Sequence, residues 1–144
     1  MKRVFILIAS ALLVSMSAYA GERAISFDRL PVQARTFINN HYLVSEVTHV
    51  VMDESLIRPE YKVYLAHGVD VEFDYNGALE KISSKEVQIP EDIIPVQIRE
   101  YVKLHYPGAV FNEYEVDKRH YEVTLSNRVE LNFNRKFHLV EVDY

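Results

Sequence analysis

The side chains in this sequence with the reach to do chemistry are histidines, carboxylates and tyrosines, so their spacing decides what chemistry is open. His41 and His105 recur in one setting, each just before a tyrosine, in the stretches LPVQARTFINNHY (30–42) and IPVQIREYVKLHY (94–106). A metal site needs ligands that converge at short, set spacings. No H-x-x-x-H or HExxH pattern occurs, and His49, His67, His120 and His138 are scattered. An imidazole near the C-terminal end of a helix instead meets the unpaired carbonyls and the negative end of the helix dipole. The acidic row Asp70, Glu72, Asp74, followed by Asn76, raises calcium. An EF-hand loop needs glycine at its sixth position and a bidentate acid at its twelfth. Counted from Asp70, those positions hold Tyr75 and Lys81. Alternation along a solvated strand face explains the row. No nucleophile elbow, phosphate loop or hydrolase signature is present, and the chain has only 4 glycines and 0 cysteines. The chain is read as a non-enzyme with no cofactor.

The elements that position these residues come in two copies. The two stretches share Pro31/Pro95, Val32/Val96, Gln33/Gln97, Arg35/Arg99, His41/His105 and Tyr42/Tyr106 at one constant offset. Asp28 and Asp92 stand where a helix N-cap would, with the prolines in the first turn. Apolar residues then fall at Leu30, Ala34, Phe37, Ile38 and Tyr42, and at Ile94, Ile98, Tyr101, Val102 and Tyr106, one face of a helix in each copy. Pro107-Gly108 ends the second helix.

After each helix the period changes from helical to alternating. Val47–Asp53 corresponds to Phe111–Asp117, and Tyr61–Leu65 to Tyr121–Leu125, with additional residues in the first copy around Leu56, Ile57, Arg58 and Pro59. The third strand reads Val69, Val71 and Phe73 inward in one copy, and Val129, Leu131 and Phe133 inward in the other. His67-Gly68 and Ser126-Asn127 suit two-residue hairpin turns, and Asn76-Gly77 suits a primed turn. Arg135-Lys136-Phe137 replaces the latter in the second copy, which predicts a different turn there. Final strands near 78–84 and 138–144 complete each unit.

The fold class expected is α+β, two tandem modules, each one helix packed on a four-stranded antiparallel sheet. The boundaries are 1–20 for an export signal, 21–84 for the first module with a short lead at 21–27, 85–91 for a linker and 92–144 for the second module. The signal reading rests on Lys2 and Arg3, the apolar run Val4–Val14 and the small-x-small site Ala18-Tyr19-Ala20. Cleavage is expected after Ala20, giving a periplasmic or secreted protein with no membrane attachment, and no cysteine follows the run to carry a lipid.

The formal charge of −5 becomes more negative once Lys2 and Arg3 are removed, which argues against nucleic acid as a partner. With no disulfides, the hydrophobic core must supply the stability. The oligomeric state is not legible, although an open sheet leaves edges on which copies could pair.

What remains for function is the outward face of the strands. Lys62, Tyr64, Asp70, Glu72 and Asp74 share it in the first copy, and Glu122, Thr124, Glu130, Asn132 and Asn134 in the second. A broad, acidic, tyrosine-bearing surface suits recognition of a protein or peptide. The alternatives are a small-ligand, metal or haem carrier using the histidines, and a structural envelope protein with no soluble ligand.

The doubled D-x-[LI]-P-V-Q-x-R-x-[FY]-[IV]-x-x-H-Y helix, the hairpin VEFDYNGALEKI at 71–82 and the export signal together resemble the beta-lactamase-inhibitor-like, PepSY-like proteins exported by bacteria. The resemblance covers residues 25–144. It implies two tandem modules, each with a helical part against a four-stranded antiparallel sheet. In the inhibitor that gives the family its name, two such modules form one curved sheet whose open face clasps a target enzyme. The inhibitory loops of that protein have no counterpart motif in this sequence, so the resemblance transfers no inhibitory residues.

Overall fold

Alternating apolar and polar residues along each strand produce one antiparallel sheet of 9 strands, paired in chain order from β1 to β9. The computed structural model describes residues 21–144 apart from Leu56, and the export signal read at 1–20 lies outside the described residues. The strands are β1 (Glu22–Ile25), β2 (Val47–Asp53), β3 (Glu60–Leu65), β4 (Val69–Phe73) and β5 (Leu79–Ser84), then β6 (Phe111–Val116), β7 (His120–Leu125), β8 (Glu130–Asn134) and β9 (Leu139–Asp143). Helix α1 (Val32–His41) precedes β2 and helix α2 (Val96–His105) precedes β6.

One row of side chains runs inward across the whole sheet: Ile25, Val50, Val63, Val71, Ile82, Tyr114, Val123, Leu131 and Val142, each paired with the next. The helices close over that side. Ala34 and Ile38 of α1, and Ile98 and Val102 of α2, are buried. Phe37 meets Phe73 edge-on at 5.5 Å between ring centroids, and Tyr101 meets Phe133 the same way at 5.3 Å. Such aromatic pairs add packing beyond the area they bury. The core is continuous because β5 pairs with β6 through Lys81↔Glu115, Ile82↔Tyr114 and Ser83↔Glu113. The two four-stranded sheets expected from the sequence are therefore parts of one sheet.

Several local expectations need correction. The lead at 21–27 contains β1, an edge strand on β2, whose four residues were too few to announce a period. Asp28 and Asp92 do not cap the helices; each sits in a short 3-10 turn, and Pro31 and Pro95 hold the N-cap positions with no side-chain cap. Leu65 pairs with Val69, and the Leu125 N–H donates to the Val129 carbonyl, so the β3–β4 and β7–β8 connections are three residues long, not two.

The Asn76-Gly77 turn is not primed, since Gly77 (φ 86°) has positive φ and Asn76 does not. Its partner turn matches it and does not differ. Asp74 and Asn134 each accept from two following backbone N–H groups through their Oδ1 atoms, and Phe137 takes the left-handed conformation (φ 63°) where the first half has Gly77.

Glycine is required at 77. A Cβ there would lie 2.8 Å from the Ala34 nitrogen and 2.8 Å from the Pro31 Cβ, because this turn tucks under the start of α1. At the linker, Ile89 is fully buried and its N–H donates to the Phe111 carbonyl, so residues 85–91 are fastened to the second half's core.

Candidate functional site

The solvent face of the sheet carries two long rows, built by the same pairing that makes the apolar row behind it. The first runs Ala24, Val51, Lys62, Glu72, Lys81, Glu115, Glu122, Asn132 and Glu141, one residue per strand. The second runs His49, Tyr64, Asp70, Ser83, Glu113, Thr124, Glu130 and Asp143 from β2 to β9. Eight of the ten residues assigned to this face from sequence lie on these rows: Lys62, Tyr64, Asp70, Glu72, Glu122, Thr124, Glu130 and Asn132. Asp74 and Asn134 do not; their side-chain oxygens are committed to the β4–β5 and β8–β9 turns.

Three residues central to the face were missed: Lys81, Glu113 and Glu115. The reason is a bulge in each strand: β5 shifts register against β4 between Glu72 and Phe73, which takes Lys81 out of simple alternation from Leu79. β6 shifts register between Phe111 and Glu113, so Phe111 and Tyr114, three apart, both point inward, and simple alternation misplaces Glu113 and Glu115. A matching shift lies between Val47 and His49 in β2, at the position that the sequence offset aligns with it.

Charges on the face are handled differently in the two halves. In the first, Lys62 Nζ lies 3.0 Å from Glu72 Oε1 and 5.2 Å from the centre of the Tyr64 ring, and His49 stacks on that ring at 4.2 Å. Burial alone would weaken the Lys62 ammonium, but the hydrogen bond and charge of Glu72 more than offset it, and the net shift is upward. At the middle of the sheet, Lys81 Nζ lies 2.7 Å from Glu113 Oε1 and 3.7 Å from Glu115 Oε2, crossing from β5 to β6. Its ammonium is likewise held up, against burial, by the hydrogen bond and charge of Glu113.

Beyond Lys81 the rows contain no further cation. Among the described residues Glu122, Glu130, Glu141 and Asp143 form no ion pair. The Glu122 carboxyl is raised above the ordinary range by burial first and then by Glu115 and Glu130, with a hydrogen bond to Asn132 only partly offsetting them. Oxygens of Glu113, Glu115 and Glu122 lie within 4.8 Å of one another, the one convergent set of metal-capable side chains among the described residues.

A partial third row at the turn end has its acids in the first half instead. Glu60 and Glu80 are both raised, by burial and then by neighbouring carboxylates, beside a shallow cavity of about 480 Å³ lined also by Arg58, Tyr75 and Lys118. Arg58, from the additional residues of the first half, lies 4.3 Å over the Tyr75 ring.

The histidines do not assemble. His41 and His105 are the last residues of their helices, packed at 4.7 Å on Phe37 and 4.2 Å on Tyr101 respectively. His41 Nδ1 is 3.8 Å from Asp92 Oδ1, and His120 Nδ1 is 3.0 Å from Asp117 Oδ1. Among the described residues no helix is long and apolar enough to cross a membrane.

Residues 59–141 match the beta-lactamase-inhibitor-like, PepSY-like family. Among solved structures, a protein of Bacteroides thetaiotaomicron described as a candidate calcium-regulated periplasmic protein is 37% identical, with a TM-score of 0.81, covering 85% of this chain and 97% of that one. A candidate periplasmic protein of the DUF2874 family from Bacteroides vulgatus is 31% identical, with a TM-score of 0.83 and coverage of 87% and 98%. A further candidate periplasmic protein from Bacteroides vulgatus is 29% identical, with a TM-score of 0.78 and coverage of 86% and 100%. No curated protein matches the sequence.

Proposed function

The chain belongs to the beta-lactamase-inhibitor-like, PepSY-like family, and from that premise we propose that it is a non-catalytic periplasmic protein that recognises a protein or peptide through the outer face of its sheet. The periplasmic location is supported by the relatives of similar fold, each described as periplasmic. The chain is built from two copies of one module, 21–84 and 92–144, joined by 85–91. This part of the proposal is supported by the repeated helix, by register shifts at equivalent places in β2 and β6, and by equivalent turns after β4 and β8.

The observation that carries the binding reading is the pair of unbroken outward rows. Helices cover one side of the sheet, and the other presents half-buried tyrosine, lysine and carboxylate side chains on a rigid paired backbone. Aromatic and charged groups held rigidly give an interface its specificity and association rate. Capture of a partner from periplasmic extract tests it. The expected result is a saturable partner whose recovery falls with Asp70→Lys or Glu130→Lys. No saturable partner, or one recovered by both variants as well as by the parent, refutes the reading.

A second reading is favoured by the Glu113, Glu115 and Glu122 cluster together with the calcium-regulated description of one relative. Calcium requires six to eight oxygen ligands, and here Lys81 already lies among the carboxylates. A calcium ion would have to displace that ammonium. Calorimetry with calcium on the protein and on Glu115→Gln decides this: heat present in the first and absent in the second supports the ion.

A further inference from the structure

Equivalent positions on the outer face carry a different charge balance in the two halves. Along the first row, Val51, Lys62, Glu72 and Lys81 correspond to Glu115, Glu122, Asn132 and Glu141. Along the second, His49, Tyr64, Asp70 and Ser83 correspond to Glu113, Thr124, Glu130 and Asp143. With histidine neutral, the first set balances its own charge. The second holds six carboxylates and no cation, and among the described residues the one side chain that pairs with any of them is Lys81, from across the β5–β6 seam. Packing does not require this arrangement. Glu115 and Glu122 are directly paired across β6 and β7, a like-charge placement that destabilises a sheet.

We propose that the β6–β9 half of the outer face is the docking site for a basic partner, a lysine- or arginine-rich extended segment whose cations neutralise Glu122, Glu130 and their neighbours. The inference rests on the reading that the outer face binds a protein or peptide, and it names that partner's chemistry and its half of the sheet. Neighbouring strands are about 4.8 Å apart and alternate residues along a strand about 7 Å apart. Adjacent carboxylates of the patch therefore lie within one Debye length, about 8 Å at physiological salt, and their potentials add. An extended segment carries alternate side chains at the same spacing of about 7 Å, so several of its ammonium groups can reach carboxylates at once. Lys81 shows the contact in miniature, with one ammonium shared by two carboxylates. The turn-end acids of the first half are less suited. Asp53 and Asp74 cap their own turns, and Arg58 and Lys118 share the cavity with Glu60 and Glu80.

Fluorescence anisotropy with labelled decalysine, and with decaglutamate and a neutral Gly-Ser peptide as controls, tests the proposal. The expected result is saturable binding of decalysine alone, weakened as salt rises from about 50 to about 300 mM. The double variant Glu122→Gln/Glu130→Gln should lose at least about tenfold in affinity, which is about 1.4 kcal/mol. Glu100→Gln, exposed on α2 and away from the sheet face, should stay within about twofold, and Lys81→Gln should tighten binding about threefold by freeing Glu113 and Glu115. The double variant removes like-charge repulsion, so a melting curve no lower than the parent's shows that it folds.

Absent or non-saturable binding, binding indifferent to Glu122→Gln/Glu130→Gln, or weaker binding by Lys81→Gln overturns the proposal. A periplasmic partner lost on Thr124→Trp while decalysine fails to bind would leave the outer-face reading standing and remove the basic partner. Calcium heat without decalysine binding would replace the partner by a metal ion.

Discussion

Lys62 and Glu122 hold the same place in the two halves, on the strand that follows the bulged one, yet their surroundings are inverted. Lys62 has Glu72 at 3.0 Å, an opposite charge directly across the strand pair, with the uncharged Val51 on its other side. Glu122 has Asn132 on one side and Glu115 on the other, and its carboxyl is pushed up in consequence. The backbone around both is the same, with a register shift in the preceding strand and a second between the two following strands. Strand pairing and inward packing thus follow the same pattern in both halves, while the outward side chains differ. The half with uncompensated charge gives up some stability, because Glu115 and Glu122 face each other across β6 and β7.

The buried side should show no such divergence. Phe73→Ala and Phe133→Ala, equivalent residues both packed under a helix aromatic, should each cost about 3–5 kcal/mol in urea denaturation. Both should lower one shared transition, because the core is continuous across β5 and β6. A loss confined to one half, with the other melting unchanged, would separate the halves thermodynamically.

The turn at 77 and 137 is a sharper contrast. Gly77→Ala should cost about 2–4 kcal/mol, combining the left-handed backbone with contact at 2.8 Å against α1. Phe137→Gly should cost about 1 kcal/mol or less, because relief of the positive φ offsets the lost stacking on Tyr121 at 5.0 Å. Thermal melts of the two variants compare them directly.

Smaller effects are expected on the outer face, and of opposite sign in the two halves. Lys62→Gln should destabilise by about 0.5 kcal/mol, a modest value because the pair is partly solvated and screened. Glu122→Gln should stabilise by a similar amount at neutral pH, raising the melting temperature by about 2 °C. The pH dependence follows from the raised carboxyls of Glu60, Glu80 and Glu122. Each binds its proton more tightly folded than unfolded, so its contribution favours folding at low pH and is lost as pH rises through the raised folded value. Glu122→Gln should flatten part of that decline between mid-acid pH and neutrality.

The sequence announced the helices, the inward stripes and most of the outer face, because amphipathic period and repetition are both visible in one dimension. Ala34, Ile38, Ile98 and Val102 were predicted inward and are buried. The caps were misread since Asp28 and Asp92 resemble N-caps by type, while the chain inserts a 3-10 turn and uses proline at the cap instead. Phe137 was misread for a related reason: a bulky residue at positive φ carries no turn signal, and its stacking on Tyr121 is a tertiary contact. Lys81, Glu113 and Glu115 are not legible because two bulges, one between β4 and β5 and one between β6 and β7, break the alternation that would place them. Their meeting across the β5–β6 seam is also a pairing between halves that no local pattern encodes.

The central claim is that cationic segments dock on the β6–β9 half and not on its counterpart. Mapping amide chemical-shift changes by NMR as decalysine is added tests it most directly. The account predicts the largest changes around Glu115, Glu122 and Glu130, with β2–β4 and both helices nearly unmoved. Changes centred on Lys62, Asp70 and Glu72, or spread evenly over the acidic surface, would contradict it.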